Sequence, residues 1–259
     1  EDLAAEQAAE LPALRAALSA AAWDLAGKQA GEPVWRLLGL ERPEAQTSCT
    51  VAIDEPEAML TRARAADAFD VLKVKLGFDG DVELARRLTQ ALPDKRFRYD
   101  ANEGWDRERA ARALDELGAL GAELVEQPLL AADLEGQEWL RERSPVPLLG
   151  DEALLGLERL DELYELYDGF VVKLDKAGGI ASSFSLISAV HGRGLQVLLG
   201  CMVSSSLGIA AGLQVAGLAD FVDLDGALLL ARDPFTGVEV DGDVLRASEA
   251  PGLGVEPAT

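Results

Sequence analysis

Lysine is scarce in this chain. Of its 24 basic residues only six are lysines (Lys28, Lys73, Lys75, Lys95, Lys173 and Lys176), and the other 18 are arginines. Histidine occurs once, at His191, and cysteine twice, at Cys49 and Cys201, with no CxxC or CxxH spacing. Two such distant thiols argue against a disulfide framework and against a zinc site, and the expected setting is a reducing cytoplasm. The net charge is −22. That excess argues against nucleic acid and anionic membranes as partners, since both need a basic footprint. No apolar run approaches the roughly 18 residues of a membrane span. No GxGxxG follows the first strand-like segment and no GxxxxGKS/T occurs, so nucleotide-binding sheets lack support. No secretory signal opens the sequence, whose first residue is Glu1 rather than Met.

What is present is a rhythm. The 259 residues, 49% of them apolar, fit one large α/β domain or two small ones. Residues 3–30 read as a helix that Pro12 must kink or divide. From residue 46 onward, strand-like segments at 48–53, 71–77, 97–102, 124–128, 147–152, 170–175, 195–201 and 221–226 alternate with helical stretches. Such alternation predicts a parallel sheet, and eight units is the number that closes a β/α barrel. An open doubly wound sheet is the alternative. The expected organisation is a helical lead-in over 1–45, a barrel over 46–232, and an irregular tail over 233–259, where Pro and Gly recur without a period.

Charges arrive late in each strand. Lys73 and Lys75 stand near the end of the second, Asp100 and Asn102 end the third, and Glu126 ends the fourth. Asp151 and Glu152 end the fifth, Lys173, Asp175 and Lys176 the sixth, and Asp223 and Asp225 the eighth. From Lys75 the steps to Asp100, Glu126, Asp151 and Lys173 are 25, 26, 25 and 22 residues, each about one β/α unit. Polar residues delivered at one level of a barrel, at the strand C-termini, mark the end where barrel enzymes keep their chemistry. Lys73 and Lys75 share a strand face, and unpaired ammonium groups there would be costly. Three carboxylates without histidine or thiolate make a hard oxygen site suited to Mg2+ or Mn2+. A lysine beside such a cation can act as a base near neutral pH. Two lysines flanking a bound carboxylate substrate then suit epimerisation: one removes the proton next to the carboxylate, and the other returns one to the opposite face.

The segments LKVKLG, YDANEGW, LVEQPL, the DE pair at 151–152, VVKLDKAGG, LLGCMVSSSLGIAAG and FVDLDGALLL resemble the enolase superfamily. Within it they resemble the muconate-lactonising subgroup and its dipeptide epimerases of the L-Ala-D/L-Glu type. The upstream stretch AAWDLAGKQAGEPVWRLLG resembles the family's entry into its barrel. The resemblance covers nearly the whole chain. It implies a TIM-type (β/α)7β barrel, here without the N-terminal α+β capping domain that family members carry. It also implies that Lys75 and Lys173 are the acid/base pair and that Lys73 assists near the substrate carboxylate. Asp100, Glu126 and Asp151 are the implied metal ligands, with Asn102 and Glu152 behind them. Asp223 and Asp225 would bind a dipeptide's α-ammonium. Thr50, by analogy, and Cys201 and Met202, which follow the seventh strand, are candidates to line the substrate pocket. His191 is expected to end a helix rather than to catalyse. The implied partner is a small dipeptide, in cytoplasmic murein-peptide recycling, with a homo-oligomer open. Two alternatives stand: another enzyme of the subgroup (a cycloisomerase or racemase), and a capless barrel that binds without turnover.

Overall fold

A computed structural model of the chain describes residues 11–258. Its strands are β1 (Glu44–Gln46), β2 (Cys49–Val51), β3 (Val71–Lys75), β4 (Arg96–Asp100), β5 (Leu124–Glu126), β6 (Leu148–Gly150), β7 (Gly169–Lys173), β8 (Gln196–Gly200), β9 (Phe221–Asp223), β10 (Phe235–Thr236), β11 (Glu239–Asp241), β12 (Val244–Arg246) and β13 (Glu256–Pro257). From β2 to β9, strand order in the eight-stranded sheet equals chain order. The chain forms two compact units. One holds Ser48–Val171 and Gly192–Gln196; the other holds the chain up to Thr47, Val172–His191 and the chain from Val197.

The first unit is built from repeated β/α steps. Parallel ladders join β2 to β3, β3 to β4, β4 to β5, β5 to β6 and β6 to β7. Helices Pro56–Ala65, Asp81–Ala91, Arg107–Ala119 and Leu134–Arg141 lie between successive strands. In Arg107–Ala119 the buried residues are Ala110, Ala113, Leu114 and Leu117, a 3.6-residue stripe that turns one face inward. Asp106 caps this helix by accepting from Arg109 N, and Asp133 caps Leu134–Arg141 by accepting from Gly136 N. The core runs through Val51, Met59, Leu72, Val74, Leu84, Leu88, Phe97, Tyr99, Leu114 and Leu148.

The second unit begins with helix Pro12–Ala30. Pro12 does not divide this helix but starts it, since the first helical position has no use for the amide hydrogen that proline lacks. Residues 3–10 of the expected helix lie outside the described residues. The helix ends at Gly31, φ +70, whose N–H bonds back to Gly27 O. β7 ends at Lys173. Leu174–Ala177 is a helical turn closed by Gly178 at φ +91, so Asp175 and Lys176 ride on that turn rather than on a strand. The tail is not irregular. β11 and β12 form a hairpin whose second strand pairs antiparallel with β1, and β10 pairs with β13. After β9 comes only the 3-10 turn Gly226–Leu229 in place of an α-helix.

Candidate active site

Strand register assembles the first half of the site. Lys75 is the register partner of Asp100, and Asp100 is the partner of Glu126. Parallel partners share a face, so three charged side chains project together from adjacent strand ends. Glu126 is in turn the partner of Leu149, and Asp151 lies two residues beyond it. Thr50 is the partner of Lys73 and therefore stands on the same face, one layer deeper.

The charges are buried and paired. Asp100 and Glu126 are both 0% exposed, Asp151 is 1% exposed and Lys73 2%. Lys73 Nζ lies 2.8 Å from Glu126 Oε2 and 3.3 Å from Asp100 Oδ2, so one ammonium bridges two carboxylates. Lys75 Nζ donates to Asp100 Oδ2 at 2.6 Å, and its side chain keeps 24% exposure. Burial opposes ionisation of Asp100, but the ammonium groups of Lys73 and Lys75 outweigh it and hold the carboxyl well below the usual range. Asn102 N donates to Asp100 Oδ1 at 3.0 Å, and Asn102 Nδ2 approaches Glu152 Oε1 at 3.4 Å. Among the described residues no three His, Cys, Asp or Glu side chains already stand as a metal-holding group; Lys73 lies between two of the three carboxylates.

Backbone strain gathers at the same strand ends. Among the described residues the non-glycine positive φ angles are those of Asn102 (+45) and Glu103 (+62), two and three residues after β4, and Gln127 (+39), directly after β5. Such conformations persist where surrounding bonds over-determine them, and they cluster at functional sites. Here Glu103 N donates to Gln127 O at 2.9 Å, Gln127 N donates to Leu149 O at 2.9 Å, and Glu103 Oε1 accepts from Ala131 N at 2.6 Å.

Two residues that the sequence did not single out hold these loops. Gln127, 0% exposed, accepts at Oε1 from Asp151 N (2.9 Å) and Ala153 N (3.1 Å). Its Nε2 donates to Leu129 O (2.9 Å) and Tyr167 Oη (3.2 Å). Asp81, 2% exposed, accepts from Gly77 N (2.9 Å), Val82 N (2.8 Å) and Trp105 Nε1 (2.8 Å), and pairs with Arg109 at 3.1 Å. A Cβ on Gly77 would fall 2.5 Å from Ala101 O, so the loops after β3 and β4 touch backbone to backbone. For Gln127 the one available signal was a polar residue directly after a strand-end charge, and Tyr167 is 40 residues away in sequence; nothing local to Asp81 marks Trp105, 24 residues on.

The remaining predicted residues belong to the other unit. Lys173, the last residue of β7, is 7% exposed. Asp223 and Asp225, at 4% and 3% exposure, flank Leu224, whose N–H donates to Thr47 Oγ1 at 2.8 Å. Thr47 thus anchors the turn between the two aspartates. The next residue, Gly226, has no room for a side chain: a Cβ would lie 2.4 Å from Met202 O and 3.0 Å from Cys201 Sγ. Cys201 is half-buried and Met202 is exposed, and both sit against Gly226. His191 ends helix Ile180–His191, as expected, and its Nε2 lies 3.0 Å from Asp220 Oδ2.

Comparison with known proteins identifies the family and the fold. The L-Ala-D/L-Glu epimerase of Bacteroides thetaiotaomicron is 35% identical over 246 residues, which are 94% of this chain and 64% of that protein. The chain thus spans slightly less than two thirds of that relative's length. A substrate-liganded L-Ala-D/L-Glu epimerase from Bacillus subtilis superposes with a TM-score of 0.90 at 29% identity, over 95% of this chain and 72% of that one. A muconate lactonizing enzyme from Pseudomonas fluorescens, complexed with muconolactone, gives 0.89 at 27% identity, over 95% and 70%. The fold is therefore the α/β barrel class of these enzymes: the strand rhythm predicts a β/α barrel, and the family resemblance implies its TIM-type (β/α)7β form. The family model described as Enolase C-terminal domain-like matches residues 32–259. With most of its length matched in this way, the chain belongs to the Enolase C-terminal domain-like family.

Proposed function

We propose that this chain carries the catalytic residues of a divalent-cation-dependent epimerase acting on dipeptides of the L-Ala-D/L-Glu type. The observation that carries the proposal is the Lys75–Asp100 contact of 2.6 Å beside the buried Glu126. It sets a partly exposed amine against an all-oxygen anionic cluster.

The donor set fits a hard cation. Asp100, Glu126 and Asp151 supply three carboxylates against the two positive charges of Lys73 and Lys75, which leaves an acidic excess in a buried place. Those three carboxylates would hold Mg2+, or Mn2+ in its stead. When bound, the cation supplies positive charge that makes the carbon next to a substrate carboxylate more acidic.

The chain's own groups do the rest. Lys73 assists near the substrate carboxylate. Lys75, as the free amine, takes the α-proton, and Lys173, as the ammonium, supplies a proton to the other side of the same carbon. The part assigned to Lys173 rests on its place at the end of β7 and on the family resemblance. Asp223 and Asp225 bind the α-ammonium of the dipeptide, since a substrate cation needs anionic partners. A cytoplasmic enzyme of murein-peptide recycling would meet such substrates, and that setting is part of the proposal. A cycloisomerase of the same superfamily is the second reading, favoured by the muconate lactonizing enzyme's TM-score of 0.89. The aspartate pair weighs against it, because such substrates carry no free amine.

The test is proton NMR of L-Ala-D-Glu and L-Ala-L-Glu with this chain in D2O, with and without Mg2+. Loss of the glutamate α-proton signal only when Mg2+ is present is the expected result. Retention of that signal in both conditions, alongside turnover of muconate-type substrates, would replace the epimerase reading with the second one.

A further inference from the structure

The geometry points to Gln127 as a positioning residue that fixes Asp151 relative to Asp100 and Glu126. This inference rests on the proposed cation site and adds to it a residue that carries no charge.

An amide side chain has two acceptor positions on oxygen and two hydrogens on nitrogen. Gln127 uses all four, on Asp151 N, Ala153 N, Leu129 O and Tyr167 Oη. Its orientation is therefore determined: a flipped amide would set its NH2 group against two N–H donors. Its backbone is bound as well, donating to Leu149 O on β6 and accepting from Glu103 N after β4. Gln127 directly follows Glu126. One residue thus ties together the strand ends that carry Asp100, Glu126 and Asp151, and it holds the last of these by the N–H of Asp151 itself. The left-handed φ of +39 is the cost of turning the side chain that way at the end of β5. Core filling does not account for this, since a leucine of similar size would leave two buried N–H groups on the Asp151–Ala153 turn unmet.

Gln137 is a built-in control. It is also buried, at 1% exposure, and its Nε2 donates to Leu166 O at 3.2 Å, on a bond to none of the three carboxylate segments.

The experiment measures Mn2+ binding by electron paramagnetic resonance, together with Tm, for wild type, Gln127→Ala, Gln127→Glu and Gln137→Ala. Residues that orient metal ligands typically change affinity by about 10- to 100-fold when removed. Gln127→Ala should weaken Mn2+ binding by roughly tenfold or more on that scale. Gln127→Glu keeps an acceptor oxygen for Asp151 N and Ala153 N and should recover most of the loss. Gln137→Ala should lower Tm and leave the Mn2+ Kd unchanged. If Gln127→Ala does not fold, Gln127→Met fills the same volume without an amide and carries the same expectation. Wild-type affinity in Gln127→Ala, an equal loss in Gln137→Ala, or a Gln127→Glu as weak as Gln127→Ala would each overturn the positioning role. No Mn2+ binding by the wild type would instead overturn the cation site, and this inference with it.

Discussion

Trp105 Nε1 and Gly77 N donate to the same oxygen, Asp81 Oδ2, at 2.8 and 2.9 Å. Gly77 lies two residues after Lys75, and Trp105 lies five after Asp100. One carboxylate therefore locks the loop that follows the candidate base to the loop that follows the first candidate ligand. Asp81→Ala leaves these two donors without their acceptor and Arg109 without one of its partners, and each buried donor left unmet costs about 1–3 kcal/mol. A loss of several kcal/mol in urea unfolding is expected. Asp79→Ala is the control: Asp79 is fully exposed and pairs with the same Arg109 at 3.5 Å. Its removal should change stability by less than about 0.5 kcal/mol. Equal effects of the two substitutions would refute the locking role of Asp81.

Lys73 stabilises only by compensation. Its ammonium bridges Glu126 and Asp100, and all three groups are buried. Removing one partner from a buried ion pair typically costs about 3–5 kcal/mol, because the remaining charge is left uncompensated. Lys73→Ala should therefore unfold at lower temperature than the wild type. If the carboxylates take a divalent cation, added Mg2+ should raise Tm more in Lys73→Ala than in the wild type, since cation binding then offsets a larger repulsion. A Tm indifferent to Mg2+ in both proteins would argue that these carboxylates serve structure alone.

The two-lysine assignment separates into two half-reactions. Lys75→Ala and Lys173→Ala should each abolish epimerisation of L-Ala-D/L-Glu dipeptides. Each should retain α-proton exchange in D2O with one epimer, because one base survives. NMR of each epimer with each variant gives a four-way pattern, and a crossed pattern is expected. Normal epimerisation by either variant would remove that lysine from the mechanism. Asp223→Asn, by contrast, should raise KM for dipeptides and leave Mn2+ binding nearly unchanged.

Much of this was legible because it is periodic. Each of β2 to β9 is a short segment of three to five residues, and the charges at positions 75, 100, 126 and 151 recur at the length of one β/α unit. What escaped is aperiodic. Nothing local says that Gln127 will reach Tyr167 or that Thr47 will accept from Leu224, 177 residues on. The alternation Val172–Lys173–Leu174–Asp175 continues past the true strand end, and Gly178 at φ +91 closes the helical turn that interrupts it. In the tail, β10 to β13 are two or three residues each, too short for a period to register. Pro12 read as a break because proline forbids a helix interior, but the same missing amide hydrogen makes it suited to a helix start.

The chain has three tyrosines, and all are pushed above their ordinary value. Tyr99 and Tyr167 rise to about 12, chiefly because burial disfavours the phenolate. A hydrogen bond from Gln127 pulls Tyr167 partway back. Tyr164 is raised mainly by its hydroxyl's bond to Glu165 Oε1, at 2.9 Å. A group whose pKa is higher in the folded state leaves stability intact below the unfolded value. Stability then falls as pH climbs from the unfolded value to the folded one. For Tyr99 and Tyr167 that window runs from about 10 to about 12. One pKa unit corresponds to about 1.4 kcal/mol, so the two together withdraw on the order of 5 kcal/mol by the top of the window. Absorbance at the phenolate band should therefore show little ionisation of Tyr99 and Tyr167 at pH 10, followed by a cooperative rise that coincides with loss of circular dichroism, because unfolding releases both buried hydroxyls at once. Gradual titration of two tyrosines near pH 10, with the fold intact, would contradict the burial of Tyr99 and Tyr167. It would also loosen the Gln127 network, in which Tyr167 is one of the four bonds.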